Sequence, residues 1–223
     1  ATLLKEVELE IGGQRIDKHY GHWLEAWAEL TQENPSGVVA TQVVTTAEGK
    51  RTGGTRFQST TGMGGVIGSG NTDTDGQGAG VMFIPLQFWF CRNPGLALPL
   101  IALQYHEVKV KFTWGTSATD GTGVGRDHTA ATPTCEVWAD YIYLDTEERR
   151  RFAQVSHEYL IEQLQYQEES SSAVQKIKLN FNHPVKELVW TNAAGEFTTQ
   201  RTKLTLNGHD RFSEQDREYF QLR

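Results

Sequence analysis

Residues 81–114 read VMFIPLQFWFC, RNPG, LALPLIAL and QYHEVKVKFTW in succession, and no other stretch of the chain is as hydrophobic. The first limb is rich in aromatic and β-branched residues and ends at Asn93-Pro94-Gly95, where Pro presets φ and Gly accepts positive φ, as a turn requires. In the last limb apolar and polar residues alternate, and Val108, Val110 and Phe112 form one face, which is the period of a half-buried strand. The stretch therefore predicts two strands joined by a compact apolar connector, the core of a sheet.

The same stretch does not predict a membrane span. A spanning helix needs roughly 20 uninterrupted apolar residues, whereas the apolar runs here are each about ten residues long. They are separated by Arg92-Asn93-Pro94.

The composition of the 223 residues favours an all-β protein with long polar loops, because 22 residues are Gly and helix-forming residues are concentrated in only two places. The formal net charge of −7 argues against a nucleic-acid-binding module. Proteins of that class engage the phosphate backbone through an excess of Lys and Arg.

The two cysteines, Cys91 and Cys135, lie at the end of one predicted strand and the start of another. They are candidates for a disulfide, although two cysteines in a chain of this size are more typical of reduced thiols. The first residues show neither the basic nor the apolar region of a signal peptide. The chain also lacks a starting Met and opens inside a strand pattern, which we interpret as the mark of a partial chain.

Hydrophobic periodicity predicts further strands and two helices. One helix places Trp23, Trp27 and Leu30 on a single face, and the other begins at Asp145 as N-cap with Glu148 at the capping-box position. The segment 157–166 fits a helix or a strand by period alone. The predicted strands are 3–11, which ends at Gly12-Gly13, and 135–145, 174–181, 185–190 and 203–206.

Two long segments, 34–80 and 115–133, are rich in Gly and Thr and are predicted to be loops. The first contains a glycine-rich run, Gly62–Gly70. A phosphate-binding loop needs a strand before it and a helix after it, and neither is predicted here, so we interpret the run as a surface loop.

The two ends of the chain resemble each other. LEIGGQRI from Leu9 matches LTLNGHDRF from Leu204 with one extra residue before the Arg, and each is followed by an aromatic pair. Gly13 and Gly208 are 195 residues apart, far beyond the repeat of a solenoid. The spacing predicts two copies of a whole β-domain. The chain would then contain about one repeat period, because it begins and ends at equivalent places in the two copies.

Several stretches resemble the major capsid proteins of large icosahedral eukaryotic DNA viruses, of the chlorovirus, algal-virus and giant-virus type. The longest are ELEIGGQRIDKHY at 8–20 and PGLALPLIALQYHEV at 94–108. The others are Asp140-Tyr141, Leu144-Asp145, Arg151–Gln154, His157–Gln165, Leu179–Pro184 and Leu206–Phe212.

The resemblance implies an all-β double jelly roll, that is, tandem antiparallel jelly rolls, both represented only in part, with short connecting helices. Residues 1–144 would be the later strands of the first roll, with a long outward loop at 34–80. Residues 145–156 would connect the domains, and 157–223 would be the early strands of the second roll, so that 157–166 becomes a strand.

The resemblance also implies a structural coat protein that forms homotrimeric, pseudo-hexagonal capsomers of an icosahedral shell. The partners would be further copies in the trimer, neighbouring capsomers, and minor capsid and penton proteins, without direct contact to nucleic acid. The location would be the virion, over an internal membrane that the chain does not span, with assembly in the host cytoplasm.

No group of residues predicts chemistry, so we expect no enzyme, no catalytic residue, no cofactor and no metal. His19 and His22 beside Asp17 lack the further ligands of a tetrahedral metal site, and a turn or helix-start role is favoured. Ser156-His157-Glu158 is not a triad, because neighbours on a strand face opposite ways. His157, His183 and His209 are interpreted as hydrogen-bonded turn residues, and Arg149–Arg151 as solvated partners of Glu147 and Glu148.

A second hypothesis comes from a different class of protein. Exposed Trp and Tyr side chains beside the glycine-rich loop would suit a cellular β-sandwich module that binds carbohydrate or another ligand. A coat protein predicts trimers and a second jelly roll, whereas a binding module predicts a monomer.

Overall fold

The computed structural model describes residues 4–32, 39–45, 51–54, 83–115, 134–169, 176–191 and 201–221. The chain divides into two compact units, Ala1–Tyr166 and Gln167–Arg223. Hydrogen-bonded pairing of strands is antiparallel throughout the described part, and the helices there are short. The prediction of an all-β chain with antiparallel sheets is therefore confirmed at this level.

The first unit is built on a three-stranded sheet in the order β2-β1-β5, formed by β1 (Leu4–Ile11), β2 (Gln14–Tyr20) and β5 (Val108–Trp114). In β5 the odd-numbered Lys109, Lys111 and Thr113 are exposed while their neighbours are half-buried, as the alternation predicts. In β1 the side chains of Leu4, Val7 and Leu9 are buried in the core. The strands predicted at 3–11 and in the last limb of 81–114 are confirmed.

Acidic and basic side chains cover the opposite face of this sheet. Lys18 Nζ lies 2.9 Å from Glu6 and 3.4 Å from Glu8, and Lys111 binds Glu10. The Glu6 carboxylate raises the pKa of Lys18, and the hydrogen bond from Lys111 lowers the pKa of Glu10. The middle strand is thus acidic on this face and its two neighbours are basic, which favours this order of strands.

The first limb of 81–114 is not a strand, which corrects the prediction. Residues 83–88 have no regular structure and lead into a short helix, α2 (Trp89–Arg92). The consecutive Phe88 and Trp89 are both buried, which the two-residue period of a strand does not allow, and Pro85 lacks the N–H that a ladder needs. After α2, Pro94–Leu96 form a 3₁₀ turn in which the Asn93 side chain accepts a hydrogen bond from the Gly95 N–H.

The helix α1 (Gly21–Thr31) is confirmed, but its buried face differs from the prediction. Leu24 and Ala28 enter the core, whereas Leu30 is 61% exposed. Trp23 and Trp27 are half-buried and contact each other with their ring centroids 5.4 Å apart. The two large rings therefore cover the rim of the core while smaller residues fit beneath the helix.

Four other predicted strands are absent from the described residues, two of them in 176–190. Residues 134–145, 157–166 and 176–190 carry no strand, although each alternates in sequence. A strand exists only where a second strand completes its hydrogen bonds, and none pairs with these segments among the described residues. Between the first two, α3 (Thr146–Gln154) forms as predicted, with Asp145 Oδ1 accepting from the Glu148 N–H at 2.8 Å.

Part of the predicted loop 34–80 is a hairpin of β3 (Val39–Thr45) and β4 (Arg51–Gly54), which corrects that prediction. The glycine-rich run 62–70 and nearly all of the 115–133 loop lie outside the described residues.

The second unit contains a small hairpin, β6 (Thr205–Leu206) and β7 (His209–Asp210), and a short helix, α4 (Arg217–Gln221). The predicted strand 203–206 is thus confirmed in part. An aromatic cluster accompanies the hairpin, with Phe220 contacting Trp190 at 4.9 Å and Phe212 at 5.7 Å between ring centroids.

Candidate functional site

A buried polar pair lies on the core side of β2. Asp17 and His19 face inward opposite Leu9 and Val7 of β1 and are 4% and 1% exposed. Asp17 Oδ2 lies 3.0 Å from His19 Nε2, though not aligned as a hydrogen bond, and the imidazole stacks on Phe88 with centroids 4.6 Å apart. This pair is the most enclosed polar group among the described residues.

The Asp17 carboxylate also binds backbone. Its Oδ1 accepts hydrogen bonds from the Lys18 N–H at 2.8 Å and the Leu164 N–H at 3.1 Å. A carboxylate that accepts backbone N–H groups inside a protein fixes the segments it joins. The pair is almost closed to solvent, although Asp17 borders an open cleft beside residues 163–166, and this enclosure favours a structural role over that of a general base.

This pair was not predicted. His19 is a core residue of β2 and His22 is exposed on α1, so the two histidines do not converge. The turn or helix-start interpretation holds for His22 alone. The sequence feature that could have predicted the pair is the i, i+2 spacing of Asp17 and His19, which places both on one face of a strand opposite apolar residues. Within the described ranges, no group of three or more His, Cys, Asp or Glu is placed to hold a metal ion.

The other histidines lie apart from this pair. His157 stacks on Phe152 at 4.9 Å, with its Nε2 3.0 Å from the Phe152 carbonyl oxygen. His183 has a φ of 73°, and His209 follows the turn between β6 and β7. His157 has the hydrogen bond expected of it and His183 lies at a bend, but His209 is the first residue of β7 rather than a turn residue, which corrects that prediction.

The arginine run on α3 is exposed. Arg150 Nη1 lies 3.3 Å from Glu147, a solvated pair one turn apart, as the sequence predicts. Cys91 and Cys135 are free thiols, and both are exposed. The helices in the described ranges are all too short or too polar to cross a bilayer.

Residues 137–143 form an exposed apolar segment in the described part of the first unit. Trp138 and Tyr143 are 83% and 94% exposed, and Val137, Tyr141 and Ile142 are each more than half exposed. Contiguous apolar surface of this kind marks sites of association in soluble proteins.

Comparison with known proteins places these features in a family. Residues 1–145 match the model for the major capsid protein N-terminus, and residues 148–200 match the model for the large eukaryotic DNA virus major capsid protein. The chain is a viral capsid protein by class. It belongs to the family of major capsid proteins of large eukaryotic DNA viruses.

Curated relatives agree with this membership. The chain is 52% identical to the major capsid protein of Pyramimonas orientalis virus over 99% of its own length and 52% of that protein. It is 42% identical to the major capsid protein of Phaeocystis pouchetii virus over 93% of its length and 43% of that protein. The chain therefore spans about half the length of the curated relatives it matches.

One solved structure extends the similarity to the fold. A chain of the quasi-atomic PBCV-1 virus capsid is 34% identical and superposes with a TM-score of 0.64. The match covers 98% of this chain and 59% of that chain.

Proposed function

We propose that this chain is part of a structural coat protein that builds the shell of a large icosahedral DNA virus. Family membership is the observation that carries the proposal, since both family models describe major capsid proteins. The similarity to a chain of the PBCV-1 virus capsid supports it independently.

The proposed architecture is a double jelly roll. Residues 1–144 supply later strands of the first roll, 145–156 connect the rolls, and 157–223 supply early strands of the second. The exposed apolar segment supports this architecture, because apolar residues on an extended chain are stable only when another element covers them. Residues 157–166 lie in the first compact unit, although the resemblance assigns them to the second roll.

The proposed assembly is a homotrimer that forms a pseudo-hexagonal capsomer. Closed symmetric association of identical subunits suits a shell, and trimers then meet neighbouring capsomers, with minor capsid and penton proteins as further partners. The proposed location is the virion, after assembly in the host cytoplasm. The acidic net charge of −7 supports a shell that does not touch the genome directly. The proposal assigns no catalysis, cofactor or metal.

The oligomeric mass tests this proposal. Light scattering on size-exclusion chromatography of the intact protein is expected to give a mass of three subunits that does not fall on dilution. A folded monomer that binds a glycan array would overturn it in favour of the carbohydrate-binding module.

A further inference from the structure

Residues 161–166, here called the strap, run beside β2 without being a strand. Side chains hold the strap at successive positions. Ile161 packs on the core, Glu162 Oε2 lies 2.8 Å from Arg92 Nη1, and the Gln163 amide donates to the Ile16 carbonyl oxygen. Leu164 N–H donates to Asp17 Oδ1 at 3.1 Å, and the Tyr166 ring lies 4.9 Å from that of Tyr20.

The strap lies where a sheet needs protection. Within the described ranges β2 is an edge of the sheet, and an edge strand presents backbone N–H and C=O groups to any other strand that approaches. The pairing of β1 with β2 also shifts between Leu9 and Glu10, which leaves Ile16 without a partner on β1. The Gln163 side chain satisfies the carbonyl of this unpaired residue.

The strap does not pack tightly on the edge that it covers. An open cleft of about 350 Å³ lies between them, lined on one side by Arg15, Lys18 and Tyr20 and on the other by residues 163–166. Water in such a cleft can replace side-chain hydrogen bonds as they open. No β-ladder joins the strap to β2 in the described part of the chain, so its release leaves the pairing of β1 with β2 and β5 intact.

We propose that the strap is a detachable guard of the β2 edge. Closed, it keeps copies of the chain from pairing through β2. When the strap opens, the β2 edge becomes exposed. This local opening requires less free energy than unfolding of the sheet, as is usual for local openings in proteins. Arg92 is a positioning residue in this device, because it binds Glu162 and the Gln87 carbonyl oxygen while its guanidinium lies 4.8 Å from the Trp27 ring centroid.

Amide hydrogen exchange of the intact protein tests the guard. Glu162→Gln removes the charge that Arg92 holds. The matched control is Glu147→Gln, which removes the exposed charge bound by Arg150 on α3. A partly exposed ion pair contributes about 0.2–1 kcal/mol, so we expect Glu162→Gln to speed exchange of the Leu164 amide roughly 1.4- to fivefold. The amides of β1 are expected to keep their rates in both variants.

Two results would overturn the guard. One is a Leu164 amide that exchanges in step with β1 in the parent chain and in both variants, since the strap would then open only with the sheet. The other is a Leu164 rate that Glu162→Gln leaves unchanged. A second variant, Gln163→Ala, releases the Ile16 carbonyl oxygen without altering charge and is expected to raise the same rate. Concentration-dependent association should increase in Glu162→Gln and not in Glu147→Gln.

Discussion

At the scale of single residues, Gly12 and Gly13 form the turn between β1 and β2 and differ in what surrounds them. Their φ values are +59° and +82°, a region that costs an L-residue roughly 1–2 kcal/mol. A Cβ on Gly12 would lie 2.8 Å from His106 Nδ1, whereas a Cβ on Gly13 would meet nothing within 4 Å.

The first prediction follows from this difference. Gly13→Ala should lower the free energy of unfolding by about 1 kcal/mol through backbone strain alone. Gly12→Ala should lower it further, because the His106 ring must also move. Chemical denaturation of both variants measures the difference, and an equal loss in the two would contradict the contact with His106.

The second prediction concerns Asp17. Asp17→Ala removes the charged acceptor of the half-buried Leu164 N–H, and a hydrogen bond to a charged group contributes about 1.5–3 kcal/mol. Thermal unfolding should therefore occur at a clearly lower temperature. Asp140→Ala, at an exposed position, is the control and should change stability by no more than about 0.5 kcal/mol. Equal stability of the two variants would contradict the role given to the carboxylate.

The sequence was a poor guide at this scale. For Asp17 and His19 the sequence favours a turn or helix-start role, yet their burial follows from their register with Leu9 and Val7, which is known only once β1 and β2 are paired. Asp145, by contrast, was correctly predicted as an N-cap, because capping depends on residues three positions apart along the chain.

At the scale of elements, the cap of α3 gives the third prediction. Asp145→Ala should destabilise this exposed helix by about 1 kcal/mol, whereas Asp145→Ser, which can still cap, should lose much less. Exchange of the α3 amides measures the effect, because no α3 residue is buried and the loss stays local. Identical exchange in the two variants would show that the cap contributes nothing.

The β6–β7 hairpin gives the fourth prediction, on pH. Lys203 lies 2.9 Å from Asp210 and, with Thr205, holds the pKa of Asp210 below its usual value, while Asp210 raises the pKa of Lys203. A carboxyl group whose pKa is lowered by folding stabilises the hairpin at any pH above its ordinary pKa. This stabilisation is lost as the pH falls through the lowered pKa. A Lys whose pKa is raised by folding stabilises the hairpin at any pH below its ordinary pKa. This stabilisation is lost only as the pH rises through the raised pKa.

The hairpin should therefore be most stable between these limits and weaken in acid. An NMR titration of the Asp210 carboxyl carbon checks the cause. In Lys203→Met the pKa of Asp210 should move up toward its usual value, and an unmoved titration would contradict the pairing.

Of the strands in the described residues, β1 and β5 were predictable from sequence, whereas β2, β3 and β4 were not. β1 and β5 alternate and pair with each other, so their pattern and their structure agree. Residues 134–145 and 176–190 alternate as well and form no strand. Alternation reports a tendency to be half-buried, whereas a strand needs a second chain segment that no local pattern specifies.

At the scale of the whole molecule, the two hairpins support the duplication expected from sequence. The φ values of Asn207 and Gly208 are 53° and 81°, close to those of Gly12 and Gly13, and positive φ at both positions is the type I′ turn of a tight hairpin. In each copy a helix follows the last paired residue closely, at Gly21 directly after Tyr20 and at Arg217 two residues after Gln215.

The extra residue in the second copy also has a structural counterpart. In the first copy one residue, Ile16, is left over between paired positions of β1 and β2. In the second copy Thr205 pairs with Asp210 and Thr202 pairs with Gln215. Two residues lie between these pairs on one side and four on the other, so two residues are left over. The insertion lies before the helix, and Trp23 and Tyr219 are each the third residue of the helix that follows.

The fifth prediction concerns the exposed apolar segment 137–143. If assembly covers it, Tyr143→Asp should reduce formation of the trimer in light scattering, because a charge would be buried without a partner. Tyr143→Phe keeps the apolar ring and should assemble normally. Normal assembly of Tyr143→Asp would remove this segment from the interface.

Electron microscopy of the purified intact protein tests the coat-protein account most directly. The account predicts uniform particles with three-fold symmetry and a pseudo-hexagonal outline, each containing three copies of the chain. Single compact particles without symmetry, at concentrations where the protein is folded, would contradict it.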